Sequence, residues 1–293
     1  MSNVRKKRFG DRSDGRRLRS LDAISGLSPF IMKKKSETSN YFSDSIDITE
    51  AERFLREKRK NGYPGMGLLH LFVASYIRVA SQYPAINRFV SGQRLFARYN
   101  IEFLMMIKTE LKSDATETSI KTVFGPTDTI SVVYERIKAE IAKVREAGDA
   151  TDADDAAKML MKMPRLILKF AVRVIEILDY FGKLPKSLLK ASPFHGSIVI
   201  TDLGSIGLPA IHHHLYDIGN LPIFISIGAK RKTYVTAKDG TVSERKFVDY
   251  ALTMDERICD GFYFSQVFRV FKSILLNPSM LDEPPETVVE DVD

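Results

Sequence analysis

Cysteine is almost missing from this chain. Cys259 is the only one in 293 residues, so no internal disulfide can form and the fold must rest on its core. That usage fits a reducing compartment, and a cytoplasmic location is the expectation. Long apolar runs are missing too: no stretch reaches the roughly 18 residues that a membrane-spanning helix needs. The charged N-terminus is not followed by the apolar stretch of a secretory leader. There is no phosphate-binding glycine loop, no dinucleotide fingerprint and no zinc-spaced set of cysteines and histidines. No metal is therefore expected. No internal repeat is visible.

Charge imbalance is confined to one end. Residues 1–19 carry Arg5, Lys6, Lys7, Arg8, Arg12, Arg16, Arg17 and Arg19 against Asp11 and Asp14, a net +6. The whole chain is +7, so the other 274 residues are close to neutral. A basic arm of this kind can meet nucleic acid, an anionic membrane, a coenzyme A phosphate or the acidic stretch Asp282 to Asp293. No nucleic-acid module follows it, so nucleic acid is not an expected partner. Hydrophobic residues make up 44% and charged residues 28%, enough of each for an ordinary soluble domain with a large core. The expected division is a basic arm over 1–20, one domain over 21–280 and an acidic, proline-containing tail over 281–293, read as disordered.

Within that domain, Ser39 to Thr49 alternates and predicts a strand. Thr49 then reads as a helix N-cap, with Glu52 as its capping-box partner and a helix running to about Lys60. Asn61 to Gly67 is a loop. Leu68 to Gln82 carries Leu69, Phe72, Val73, Tyr76, Ile77 and Ala80 at helical spacing and predicts a buried helix ended by Pro84. Short strands split by Gly92 and Asn100 are expected over Phe89 to Ile107, another strand over Thr116 to Phe124, and a helix over Thr129 to Ala147. Gly148 to Asp155 reads as an acidic loop. Farther on, strands are expected at Ser197–Thr201, Pro222–Ile227, Thr233–Val235 and Lys246–Met254, with Asp239-Gly240 as a hairpin turn. A closing helix spans Phe262 to Leu276. Hairpins rather than regular βαβ alternation predict an α+β fold.

The segment 156–190 stands apart. Over 156–181, Lys162, Arg165, Lys169, Arg173, Glu176 and Asp179 fall three or four residues apart and make one narrow polar stripe. Nearly everything else is apolar. Such a helix is buried in its own domain, packed against a sister subunit, or laid on a membrane surface. Pro164 either kinks it or marks its first turn.

The most specific signal lies in the last third. Asp255-Glu256-Arg257-Ile258-Cys259-Asp260-Gly261, after a predicted strand and before a predicted helix, resembles the D-H-R-x-x-D-G signature of 2-oxo acid dehydrogenase acyltransferases. It is also similar to the H-x-x-x-D-G of chloramphenicol acetyltransferases. Gly196 to Gly207 (GSIVITDLGSIG) resembles that family's G-T-F-T-I-S-N-L-G-x-x-G stretch, and Leu221 to Ala229 the strand between the two. Tyr83 to Asn87 and Ser45 to Thr49 are similar to two N-terminal landmarks, in the family's order. The resemblance implies a chloramphenicol-acetyltransferase-like fold: a mixed sheet flanked by helices, assembled as a homotrimer with active sites between subunits. It implies acyl-CoA as substrate and a small alcohol, amine or thiol as acceptor. Family members in dehydrogenase complexes carry lipoyl domains ahead of this one. Here an arm of about 20 residues, eight of them basic, precedes the fold, so no lipoyl group is expected in cis, and a lipoyl-bearing partner would act in trans.

In the family a histidine takes the proton of the attacking nucleophile and a serine or threonine hydroxyl stabilises the oxyanion. Carried onto this chain, the hydroxyl is Thr201, the scaffold is Asp260 and Arg257, with Asp255 beside them, and the histidine position is Glu256. A free glutamate is a weaker base than histidine by roughly two pH units, although burial can make a carboxylate a competent general base. Two readings follow. Either Glu256 is the base of an acyltransferase, or the chain is a catalytically degenerate trimer that binds CoA or a partner, with a peripheral membrane role through 156–181 and the arm as a variant. Of the five histidines, His70 reads as a helix-face residue of the core. His195 could reach Thr201 only through a turn at Gly196, since six extended residues span roughly 20 Å. His212, His213 and His214 are surface polar residues, a replacement base across a subunit boundary, or, for His212 and His214 together, metal ligands. Cys259 reads as a core thiol.

Overall fold

A computed structural model describes residues 6–108, 117–147 and 161–293. The predicted acidic loop 148–155, the start of the 156–181 segment and Thr116 lie outside the described residues. In chain order the elements are β1 (Gly15–Arg17), α1 (Ala23–Ile31), β2 (Ser39–Asp47), α2 (Thr49–Lys60), α3 (Leu68–Gln82), β3 (Arg88–Ser91), β4 (Arg94–Arg98), β5 (Ile101–Lys108), β6 (Glu117–Phe124), α4 (Ile130–Ala147), α5 (Arg165–Tyr180), α6 (Lys186–Ala191), β7 (Ile198–Asp202), β8 (Ile223–Thr236), β9 (Val242–Asp255) and α7 (Gly261–Leu276).

Among the described residues the strands form two sheets. The large one has six strands in the order β2-β9-β8-β7-β5-β6. It is mixed, with β7 parallel to both neighbours and the other pairs antiparallel. The small one is β1-β4-β3. Its β3–β4 turn is a two-residue hairpin in which Gly92 and Gln93 both take positive φ (56° and 59°), as a tight turn of matching twist demands. This is the expected α+β architecture.

Strand alternation decides the core. Ile198, Ile200, Ile223, Ile225, Tyr250 and Leu252 point to one face of the large sheet, where α3 and α7 cover them. The predicted buried helix is α3 to the residue, and twelve of its fifteen residues are buried. Phe72 on it meets Tyr250 of the sheet and Phe271 of α7 edge-on, at 5.5 and 5.6 Å between ring centres. At its start, the Gly67 N–H donates to His70 Nδ1 at 3.1 Å. Burial drives the His70 pKa down to about 4, from 6.5 for a free histidine. Between those pH values the unfolded chain binds a proton here that the folded chain does not. Stability therefore falls as pH drops from about 6.5 toward 4. We expect His70→Gln, which can still accept from Gly67, to lose less of its urea midpoint between pH 7 and pH 5 than the wild type.

Several sequence expectations are corrected. Thr49 does not cap α2. Asp47 accepts both the N–H and the hydroxyl of Thr49, at 2.8 and 2.5 Å, and Ile48 takes the cap position. Glu52 pairs instead with Lys230 at 2.5 Å. The two strands expected at 222–227 and 233–235 are one, because β8 continues through a bulge between Ile227 and Lys230 to complete a long hairpin with β9. Gly228 in that bulge has no room for a side chain: a Cβ there would lie 2.5 Å from the Ala210 nitrogen of the loop crossing the sheet.

The described part of the arm and the tail are both anchored. Residues Gly15–Arg17 pair with Phe96–Arg98 as an edge strand. Arg12 is buried and bonds Asp14, Ser91 and Asp179. In the tail, Val289 N–H donates to Ser81 carbonyl, and Asp291 takes two bonds from Arg88 at 2.7 and 2.5 Å. Arg16 holds the carbonyls of Asp291 and Val292. Arg8 pairs with Asp293 at 2.9 Å, so the tail read as disordered is ordered by these contacts with the arm and with Arg88.

Candidate active site

The signature turn follows β9 directly. Three consecutive residues alternate in direction, and the outer two face inward to each other. Arg257 donates Nε and one terminal nitrogen to the two oxygens of Asp255, at 2.8 and 2.7 Å, with both side chains almost wholly buried. Thr38 adds a hydroxyl bond to Asp255 at 2.9 Å, and the remaining Arg257 nitrogen reaches the Met32 carbonyl at 2.9 Å. This bidentate pair, hydrogen-bonded on every side, is rigid. It fixes Glu256 between its members, with the Glu256 N–H donating to the Thr38 carbonyl at 3.0 Å.

Glu256 is partly exposed. Asn40 of β2 donates its side-chain amide to Oε2 at 2.9 Å, and Oε1 makes no hydrogen bond among the described residues. The carboxylate is therefore oriented by one donor with its other oxygen open. Arg257, next to it in sequence, is committed to Asp255 rather than to Glu256. Asp260 departs from its expected scaffold role beside Arg257. It is exposed and serves as the N-cap of α7, accepting from the Tyr263 N–H at 2.8 Å. Its pairing is thus with a helix end, and Asp255 takes the place of charged partner.

Thr201 lies near the end of β7, partly exposed. The sheet register keeps it away from Glu256. Thr201 is level with Ser226 of β8 and Ala251 of β9. Glu256 lies five residues farther along and two strands across, a separation of roughly 20 Å. The two also belong to opposite faces. Thr201 shares its face with Val199 of a small cluster under the 207–222 loop, whereas Asn40 shares its face with Phe42, which packs on the main core. A single chain does not bring the predicted base and hydroxyl together.

His195 does not approach Thr201 either. It sits at the opposite end of β7, buried, with Nδ1 2.8 Å from the Ser192 hydroxyl and Nε2 3.3 Å from Asp179. Burial lowers its pKa, and Asp179 only partly offsets this. Burial also works against the charge of Asp179, but His195 and Arg12 outweigh it and hold Asp179 at about 2. This network borders a cleft of about 720 Å³ walled by α5 on one side and by residues 29–35 on the other. Arg257 and Lys35 also line it. Lys35 is buried, donates to the carbonyls of Ile218 and Gly219, and is pushed by burial down to about 8. Asn40, Lys35 and the Asp179–His195 contact were not foreseen as a group. The only sequence hint was Asp179 in the polar stripe and His195 before the strand.

The histidine run crosses the sheet in the 207–222 loop. His212 contacts Ser43 hydroxyl at 2.8 Å, while His213 stacks flat on Phe224, ring centres 4.0 Å apart. His214 packs against His213 and Tyr216, so His212 and His214 have separate partners. Among the described residues no group of three or more His, Cys, Asp or Glu could hold a metal ion. Cys259 is buried, and burial pushes its thiol up to about 12, which leaves it protonated and unreactive.

Residues 173–282 match the family of 2-oxoacid dehydrogenases acyltransferase (catalytic domain). No curated protein sequence matches the chain. Among solved structures, a probable dihydrolipoamide acetyltransferase of Listeria monocytogenes superposes with a TM-score of 0.56 at 15% identity, covering 88% of this chain and 95% of that one. A dihydrolipoamide acetyltransferase of Azotobacter vinelandii gives 0.54 at 14% identity, covering 88% of each. A chloramphenicol acetyltransferase gives 0.51 at 13% identity, covering 87% of this chain and 96% of that one. Residues 173–282 thus match that catalytic-domain family, and the chain shares the fold of these acetyltransferases, the chloramphenicol-acetyltransferase-like fold.

Proposed function

We propose that the protein transfers an acyl group between coenzyme A and a small acceptor, in a homotrimer whose sites pair Glu256 of one subunit with Thr201 of the next. The acceptor is an alcohol, amine or thiol, or a lipoyl group presented by a partner in trans. The observation that carries this reading is Glu256 itself, an oriented carboxylate with one open oxygen, mounted on a buried ion pair. The register supports the split site, because the oxyanion hydroxyl lies too far away within one chain. The Azotobacter enzyme has been studied for the roles of a serine, a histidine and, four residues on, an asparagine in its mechanism. The same four-residue spacing separates Glu256 from Asp260.

In this mechanism the acceptor's nucleophile attacks the thioester carbonyl as its proton passes to Glu256. The neighbour's Thr201 hydroxyl donates to the developing oxyanion. Collapse of the tetrahedral intermediate breaks the carbon–sulfur bond, and Glu256 returns the proton to the departing CoA thiolate. Asp255, Arg257 and Asn40 hold the carboxylate in place, and Asp260 holds the start of α7.

The test is release of free CoA thiol from acetyl-CoA in the presence of dihydrolipoamide and a panel of small amines and alcohols. Thr201→Val should lower turnover by about 10²-fold, the usual effect of removing one oxyanion donor. A wild-type protein that binds CoA and releases no thiol with any acceptor would favour the degenerate, CoA-binding reading.

A further inference from the structure

Helix α5 has no buried residue. Leu166, Phe170, Val174, Ile177 and Phe181 follow one another at spacings of four, four, three and four, which puts them on one stripe facing outward. Leu166 is 80% and Phe170 70% exposed. Beside that stripe run Lys162, Arg165, Lys169 and Arg173, and no acid stands between Met161 and Ile175. Across the cleft, α1 repeats the pattern. Ile24, Leu27, Phe30 and Ile31 are exposed there, and Lys33 and Lys34 follow at once.

The cleft between them joins the two walls, with Lys33, Lys34 and Lys35 on one and Arg173 on the other. Its acids already have partners: Glu176 pairs with Arg173, Asp179 with Arg12 and His195, and Asp217 with Ser36. Lys33, Lys34, Lys162, Arg165 and Lys169 make no ion pair among the described residues.

We propose that this face, α1 with α5 and the basic cleft between them, docks on the surface of an anionic lipid bilayer. The apolar stripes enter the boundary between headgroups and acyl chains, and the lysines and arginines meet the lipid phosphates. A 16-residue helix is about 24 Å long and lies flat in such an interface. No helix among the described residues is long and apolar enough to cross a membrane. A second copy of the chain fits the face less well. Over the first three turns α5 offers only cations, and the acids of its last turns are already paired. The inference stands apart from the transfer reaction and survives its failure.

The test is flotation of the full chain with vesicles of phosphatidylcholine alone and of phosphatidylcholine with about a third phosphatidylglycerol, with molar mass by light scattering alongside. The expected result is binding to the anionic vesicles only. It should fall by more than about fivefold for each of Lys33→Glu, Lys34→Glu and Lys169→Glu, since loss of one cation alone costs about that factor. It should be lost in Leu166→Glu/Phe170→Glu and kept in Val123→Asp, a control on the edge strand β6. Molar mass should not change. Three results overturn the proposal: no wild-type binding to anionic vesicles, binding indifferent to these substitutions, or a mass that drops in the α5 variant without vesicle binding. The last would make the face a contact between copies. CoA binding that Lys33→Glu and Lys34→Glu abolish, with no vesicle binding, would assign the cleft to CoA instead.

Discussion

Glu256→Gln is expected to lower acyl transfer by two to four orders of magnitude, as removal of a positioned general base does, roughly 10²–10⁴-fold. Glutamine keeps the shape and can still accept from Asn40, so the fold, the assembly and CoA binding should be unchanged. The loss should therefore appear in kcat, with little change in KM for acetyl-CoA. Glu256→His is a second readout, since it restores the residue that stands at this place in the family signature and should recover turnover. Activity unaffected by Glu256→Gln would show that the proton goes elsewhere and would leave the base unidentified.

The second large effect is expected on stability. Arg257→Met removes one member of an ion pair whose side chains are only 4% and 2% exposed. The Asp255 carboxylate would remain, buried, with the Thr38 hydroxyl and the Arg257 N–H as its donors. Stranding a buried charge in this way costs about 3–5 kcal/mol. For a chain of this size that is a fall in Tm of about 10 °C. Arg257→Lys should fall between the two, because an ammonium cannot bond both Asp255 oxygens and the Met32 carbonyl together. Thermal melts followed by circular dichroism measure this. A Tm within a degree or two of wild type for Arg257→Met would contradict the positioning role given to the pair.

The two halves of the candidate site were unequally legible. The strand-turn-helix around residues 255–261 could be read in advance, because an alternating run, a charged turn and an amphipathic run follow one another within a few residues. Thr201 could be placed on a strand for the same reason. Their separation could not be read, since it depends on a sheet order that puts β8 between β7 and β9. The Asn40–Glu256 bond joins residues 216 positions apart and exists only because β2 pairs with β9 in one register. Asp260 caps α7 instead of joining the scaffold, because an aspartate just before a helix serves as its cap as readily as it pairs with an arginine.

Thr49 and Asp47 show the same competition at shorter range. Both can satisfy the first turn of α2, and only the structure reveals that Asp47 bonds Thr49 itself. Composition alone does not decide the tail. Acidic, proline-containing segments lack the apolar surface to fold alone, but Arg16 and Arg88 supply partners that a local reading does not see. Helix α5 marks another limit. Its periodicity identified a helix apolar around most of its circumference, and periodicity carries no information about what covers it.

The most direct test of the split site is to co-assemble subunits carrying Glu256→Gln with subunits carrying Thr201→Val, after unfolding and refolding them together. Each variant alone should be nearly inactive. If each site takes Glu256 from one subunit and Thr201 from its neighbour, random mixing in equal amounts gives about a quarter of the sites both wild-type groups. The mixture should then recover about a quarter of wild-type turnover. A mixture as inactive as its parents, refolded to the same mass as wild type, would contradict the account.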